Sequence, residues 1–119
     1  MAHVIVVEDD EPYAYLIEKE LRAAGHEVTV FFDWVGVLEL VETGAEVSVL
    51  VTDLRLPQGT PNGHSLARLV SKRNPSIKIV YMTAFADLAV EAMRTLPAVV
   101  VKGSDAKPVL AAVTTALTA

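Results

Sequence analysis

The sequence predicts an α/β fold, a doubly wound, five-stranded parallel sheet with helices on both faces, (βα)5. Three observations predict it. Short β-branched runs alternate five times with stretches whose apolar residues recur at helical spacing. The central run, Val47 to Val51, is apolar but for Ser48, with Val49, Leu50 and Val51 consecutive, as expected of a strand covered on both faces. Hydrophobic residues make up 52% of the 119 positions, and a sheet covered on both sides supplies the interior they need.

Each element has its own signal. Val4 to Val7 reads as a buried strand, followed by Glu8, Asp9, Asp10 and Glu11. Pro12 suits the first turn of a helix, and Tyr13, Leu16, Ile17, Leu21 and Ala24 carry it to Gly25. Val28 to Phe32 is the second strand. Asp33 can cap a helix through Trp34, Val37, Leu38 and Val41, with Gly44 after it. Val47 to Val51 leads into Thr52 and Asp53. Leu56 to Gly63, with two prolines and two glycines, reads as a loop. Ser65 to Lys72 is the third helix, with Leu66, Leu69 and Val70 inward, and Asn74-Pro75 ends it. Ile77 to Met82 is the fourth strand, closing on Thr83 and Ala84. Asp87 to Arg94 is a short helix stopped by Pro97. Val99 to Val101 is the fifth strand, ending at Lys102 and Gly103. Ser104 or Asp105 caps the last helix, which turns Val109, Leu110, Val113 and Leu117 to the core. No internal repeat or low-complexity linker interrupts the pattern, so residues 1–119 read as one domain.

Bulk composition narrows the function. The formal net charge of −5 argues against direct nucleic-acid binding. There is no cysteine, hence no disulfide framework and no thiolate chemistry. No apolar run approaches the roughly 20 residues of a membrane span, and the N-terminus lacks a signal-peptide pattern. A cytoplasmic protein that neither enters a membrane nor binds nucleic acid is the expectation.

In a parallel sheet of this kind the ligand site lies outside the carboxyl ends of the strands. Reading off those ends gives Glu8 and Asp9, then Asp53, Thr83 and Lys102. Three crowded carboxylates repel one another unless a cation sits among them. Oxygen donors in this number suit Mg²⁺, which keeps waters that substrate oxygens can replace. Lys102 adds a point positive charge and Thr83 a hydroxyl donor, a set suited to neutralising a phosphoryl group in flight. Asp53 is the central carboxylate and the candidate nucleophile. Asp10 and Glu11 read instead as charge favoured at a helix start. His3, His26 and His64 lack ligand spacing, and Trp34 and the tyrosines read as packing residues.

The sequence resembles the receiver domain of two-component response regulators over essentially its whole length. The resemblance rests on Val4-Ile5-Val6-Val7-Glu8-Asp9-Asp10, on Val49-Leu50-Val51-Thr52-Asp53-Leu54-Arg55-Leu56-Pro57, on Tyr81-Met82-Thr83-Ala84 and on Val99-Val100-Val101-Lys102. It implies a CheY-like, flavodoxin-like fold and a stand-alone signalling switch rather than a metabolic enzyme. By the same resemblance, Asp53 is the phosphoacceptor, and Glu8, Asp9, Asp53 and the Arg55 carbonyl hold Mg²⁺. Thr83 and Lys102 contact the phosphoryl group, which comes from a histidine kinase, a histidine phosphotransfer protein or a small donor such as acetyl phosphate. The output is a downstream protein, with homodimerisation open; Leu88, Val90, Met93, Val109 and Val113 could serve a dimer face or fill the core, and helical spacing favours the core for most of them.

Four departures from the family pattern stand out. The loop at Leu56 to Gly63 is long. The stretch from Thr83 to Lys102 is short, so the fourth helix should be short. Val99 replaces the usual aromatic of the fifth strand. Gly103 replaces the proline that usually follows the lysine in a cis peptide, and without proline a trans bond is expected. Arg55 and Phe85, two residues beyond Asp53 and Thr83, can hinder an in-line water, so slow loss of phosphate is expected.

Three other functions compete. Val99 and Gly103 favour a degenerate receiver acting as a phosphorylation-independent interaction module. An aspartate-nucleophile phosphatase needs an acid two residues after the nucleophile, where Arg55 stands. Nucleotide binding is disfavoured by the acidic, glycine-poor loop after the first strand.

Overall fold

The computed structural model describes residues 2–55 and 62–118. Most of the long loop read from the sequence, residues 56–61, lies outside the described residues. Ten elements alternate: β1 (His3–Val7), α1 (Glu11–Ala23), β2 (Glu27–Phe31), α2 (Val35–Glu42), β3 (Val49–Asp53), α3 (Gly63–Arg73), β4 (Lys78–Thr83), α4 (Ala86–Ala92), β5 (Val99–Val101) and α5 (Lys107–Thr118). The sheet is parallel throughout, in the order β2-β1-β3-β4-β5. The direction of winding therefore reverses between β1 and β3, and the crevice there opens at the carboxyl ends of those two strands.

Alternation along each strand divides the core in two. Val4 and Val6, Val49 and Val51, and Val80 and Met82 face α1 and α5, meeting Ile17, Leu21, Val109 and Val113. Ile5, Val7 and Leu50 face α2 and α3, meeting Val37, Val41, Leu66 and Val70. Each such buried aliphatic side chain stabilises the fold by about 1.5–3 kcal/mol relative to exposure. Val109 and Val113 are wholly buried, so they serve the core and no surface. Val90 and Met93 stay exposed, and Leu88 is half-buried.

Several boundaries differ from the sequence reading, each for a local reason. β3 starts at Val49 rather than Val47 and runs to Asp53, the strand end read from the sequence, where Thr52 pairs with Val7 and Asp53 with Met82. Val47 is buried but precedes the ladder. α3 begins at Gly63, since Asn62 caps it by accepting from the Ser65 amide at 2.8 Å. Trp34, not Asp33, occupies the N-cap of α2, although the Asp33 carboxylate still accepts from the Val35 amide. Asp105 does accept from the Lys107 amide at the start of α5. α4 has seven residues, in keeping with its short connection. Among the described residues no helix is long and apolar enough to cross a membrane.

Candidate functional site

The parity of three strands places the site. Glu8 continues the series Val4, Val6; Asp53 continues Val49, Val51; Lys102 follows Val100 by two. All three series face α1 and α5, so the two carboxylates and the ammonium emerge on one side of the rim. Lys102 Nζ donates to Glu8 Oε2 at 2.6 Å and to Asp53 Oδ2. Glu8 is fully buried, and Asp53 is only 6% exposed.

Asp9 completes the acidic group from the loop above β1. One oxygen from each of Glu8, Asp9 and Asp53 lies within 4.8 Å of the others. This all-oxygen set, with Asp9 open to solvent, can hold a hard divalent ion that retains waters. Asp10 does not join it. Its carboxylate caps α1 by accepting from the Tyr13 amide, while its own amide donates to Glu8 Oε1 at 3.2 Å.

Electrostatics follow from burial. Desolvation raises the Glu8 carboxyl to about 7, and the charge of Asp53 adds to the rise, while Lys102 and the Asp10 amide pull the other way. Burial by itself would lower the Lys102 ammonium, but hydrogen bonds to Asp53 and Glu8 outweigh it and raise its pKa above the ordinary value. The lysine thus stays charged between two carboxyl groups, one of which is close to holding a proton at neutral pH.

The remaining rim residues flank Asp53. The Arg55 amide donates to Asp53 Oδ1 at 3.0 Å, and the Arg55 guanidinium lies 4.8 Å from the centroid of the Phe85 ring. Thr83 is buried at the end of β4, where its Oγ1 accepts from the Phe85 amide at 3.2 Å. That bond leaves the hydroxyl proton available to another acceptor. The Lys102 amide donates to the Thr83 carbonyl at 2.8 Å, tying the two strand ends together. No described peptide bond is cis, so Lys102–Gly103 is trans, as expected without proline.

Two residues that matter at this rim were not singled out in the sequence. Gly63 lies against the backbone of Asp53 and Leu54: a Cβ on it would fall 2.0 Å from the Asp53 carbonyl oxygen. Tyr13, read as a packing residue, places its ring 5.4 Å from Lys102 Nζ. The proline-glycine-rich loop hinted at a tight approach near Gly63, and nothing local marked Tyr13.

The strand-end aspartate, buried beside a lysine and two further acids, sits at the carboxyl ends of a 2-1-3-4-5 parallel sheet, where such sheets bind their ligands. The chain belongs to the response regulator receiver domain family, whose sequence profile matches residues 4–114. It is 32% identical over 89 residues to the response regulator receiver protein CpdR of Brucella abortus, covering 75% of this chain and 72% of CpdR. It is 33% identical over 85 residues to the DNA-binding transcriptional regulator NtrC of Escherichia coli, covering 71% of this chain but only 18% of NtrC. Among solved structures, a receiver protein from Sinorhizobium medicae superposes with a TM-score of 0.85 at 26% identity, covering 99% of this chain and 95% of that one. TrrA of Thermotoga maritima, solved in complex with Mg²⁺-BeF, superposes with a TM-score of 0.82 at 21% identity, covering 98% and 100%. The fold is that of CheY-like receivers, and the chain is a signalling module of the two-component type rather than a metabolic enzyme.

Proposed function

We propose that residues 1–119 act as one receiver domain, a cytoplasmic switch that takes a phosphoryl group onto Asp53 and signals through protein contacts. The observation that carries the reading is the shared rim of Glu8, Asp9, Asp53 and Lys102, with a buried nucleophile held between a cation and two acids. The phosphoryl group comes from a histidine kinase, a histidine phosphotransfer protein or acetyl phosphate. The Asp53 carboxylate oxygen forms a bond to phosphorus as the bond to the donor's nitrogen or acetate oxygen breaks, and the leaving group keeps that electron pair. Lys102, already bonded to Asp53, follows the charge onto the phosphoryl oxygens, and Thr83 donates its free proton to one of them. Mg²⁺, held by Glu8, Asp9, Asp53 and the Arg55 carbonyl, would offset the negative charge gathered at the rim when bound.

The test is intact-mass analysis after incubation with acetyl phosphate. A one-phosphoryl increase is expected with Mg²⁺ and none with a chelator or in Asp53→Asn. An increase that persists in Asp53→Asn removes Asp53 as the acceptor.

Phosphate lifetime depends on the stacked pair over the site. Arg55 and Phe85 stand two residues beyond Asp53 and Thr83; the guanidinium lies 4.8 Å from the ring centroid, and on this reading the pair hinders an in-line water. Phe85→Ala should therefore shorten the half-life of the adduct roughly threefold or more, the kinetic equivalent of losing an exposed cation–π contact. Decay of the purified adduct, followed by mass, gives the half-life. Equal decay in the two proteins would remove the steric account.

The degenerate-module reading draws on a specific feature. Val99 is half-buried and lines a surface groove with Ile79, Leu96, Pro97, Ala112 and Ala116, without the ring through which the family reports phosphorylation. Under that reading a downstream partner binds equally well with and without phosphate. Under the switch reading its affinity changes. Of the residues considered for a dimer face, Val90 and Met93 are exposed, whereas Val109 and Val113 are buried.

A further inference from the structure

The Lys102 backbone is tied to β4 through its amide, but its side chain leaves the end of a short edge strand. The residue follows β5, an edge strand of three residues, and precedes Gly103, Ser104 and Asp105, all exposed. A Cβ built on Gly103 would meet nothing within 4 Å, so the space beside its Cα is open. Yet the ammonium must reach back across the rim to two carboxylates, and a four-carbon side chain loses much rotamer freedom when it is held so.

Tyr13 supplies an anchor from another element. It sits in the first turn of α1, which Asp10 caps through the Tyr13 amide. Its ring packs partly against the core on the α1–α5 side, with the Lys102 ammonium 5.4 Å from the centroid. A cation against an aromatic ring is favoured, more so where water is partly excluded. The hydroxyl donates a long hydrogen bond, 3.4 Å, to the carbonyl of Asp105. One side chain therefore touches the lysine head and tethers the loop on the far side of Gly103.

We propose that Tyr13 is a positioning residue: its ring and hydroxyl hold Lys102, and the loop behind it, at the distance from Asp53 that phosphoryl transfer requires. This rests on Asp53 being the phosphoacceptor. Tyr13 touches neither donor nor acceptor atom and acts through Lys102. The acidic residues around it divide by role: Glu8 and Asp53 face the same ammonium, and the Asp105 backbone faces the hydroxyl.

Two measurements test it, one independent of phosphoryl transfer. The first follows adduct formation against acetyl phosphate concentration, with Mg²⁺, in wild type, Tyr13→Leu, Tyr13→Phe, Lys102→Ala and the Tyr13→Leu/Lys102→Ala double variant. Tyr13→Leu should lower the maximal rate about tenfold, with half-saturation by acetyl phosphate little changed. Tyr13→Phe, which keeps the ring, should recover part of the rate. The double variant should be no slower than Lys102→Ala, because the two residues act as one unit. The second measures the ring-current shift of the Lys102 methylene protons by NMR, which should be present in wild type and Tyr13→Phe and lost in folded Tyr13→Leu. Independent, multiplying losses in the double variant overturn the proposal, as do unchanged Lys102 resonances in Tyr13→Leu. If wild type forms no adduct at all, the phosphoacceptor reading fails, and the Lys102 resonances still decide whether Tyr13 holds the lysine.

Discussion

Gly63→Ala should destabilise the domain by roughly 3 kcal/mol or more, at the upper end of single substitutions. Helix propensity by itself predicts the opposite, since alanine is favoured over glycine by about 1 kcal/mol inside a helix. Sterics decide the sign. The added Cβ would lie 2.0 Å from the Asp53 carbonyl oxygen, 2.9 Å from its carbonyl carbon and 3.1 Å from the Leu54 Cα. All three atoms are backbone, so no flexible side-chain tip can give way. The Gly63 amide also donates to the Leu54 carbonyl at 3.1 Å, which pins the start of α3 to the end of β3. Relief must move either α3 or the strand end that carries Asp53, so the yield of phosphoryl adduct should fall with stability. Gly103→Ala is the control, because its added Cβ meets nothing within 4 Å. It should change stability by no more than about 0.5 kcal/mol. Urea unfolding of the two variants reads the contrast, and equal stabilities would refute the close-approach account.

Lys102→Ala should show a loss of stability that depends on pH and on metal. The substitution leaves Glu8 and Asp53 facing each other in a buried site. Removing one partner of a buried ion pair costs about 3–5 kcal/mol when the remaining charge stays ionised. A proton can relieve that cost at Glu8, whose folded carboxyl already sits at about 7 against 4.5 for the free group. The folded state holds this proton more tightly than the unfolded one. The Glu8 contribution to stability is therefore present at low pH and lost as pH rises through about 7, and loss of the lysine moves that window upward. With a chelator present, Lys102→Ala should approach wild type at pH 5 and fall roughly 3 kcal/mol below it at pH 8. Mg²⁺ should restore part of the difference at pH 8. Urea unfolding at the two pH values, with and without Mg²⁺, measures it, and a deficit independent of pH would show that the lysine contributes packing rather than charge.

The sheet and the rim could be read from the sequence because both depend on local periodicity. β-branched runs ending in Glu8, Asp53, Thr83 and Lys102 mark strand ends, and two-residue alternation puts Glu8, Asp53 and Lys102 on one face of the sheet. What could not be read depends on contacts between distant segments. Val47 belongs to the same run as Val49 to Val51, but the ladder with β1 and β4 begins only at Val49. Gly63 looked like one more loop glycine, and its need for a bare Cα comes from the Asp53 carbonyl ten residues earlier in the chain. Tyr13 looked like any helix tyrosine at an apolar position, and its charged neighbour lies on the fifth strand's end. The Arg55–Phe85 pair was anticipated as two bulky neighbours of the acceptor, and the fold adds that they stack on each other.

The central claim is that the acceptor is Asp53 and no other acid of the rim. Borohydride reduces an acyl phosphate to an alcohol, so treating the wild-type adduct and sequencing its peptides locates the phosphoryl group without any substitution. The account predicts homoserine at position 53, formed only when acetyl phosphate and Mg²⁺ were both present. Reduction at Asp9 or Asp10, or none at any aspartate in protein that carries the mass increase, would contradict it.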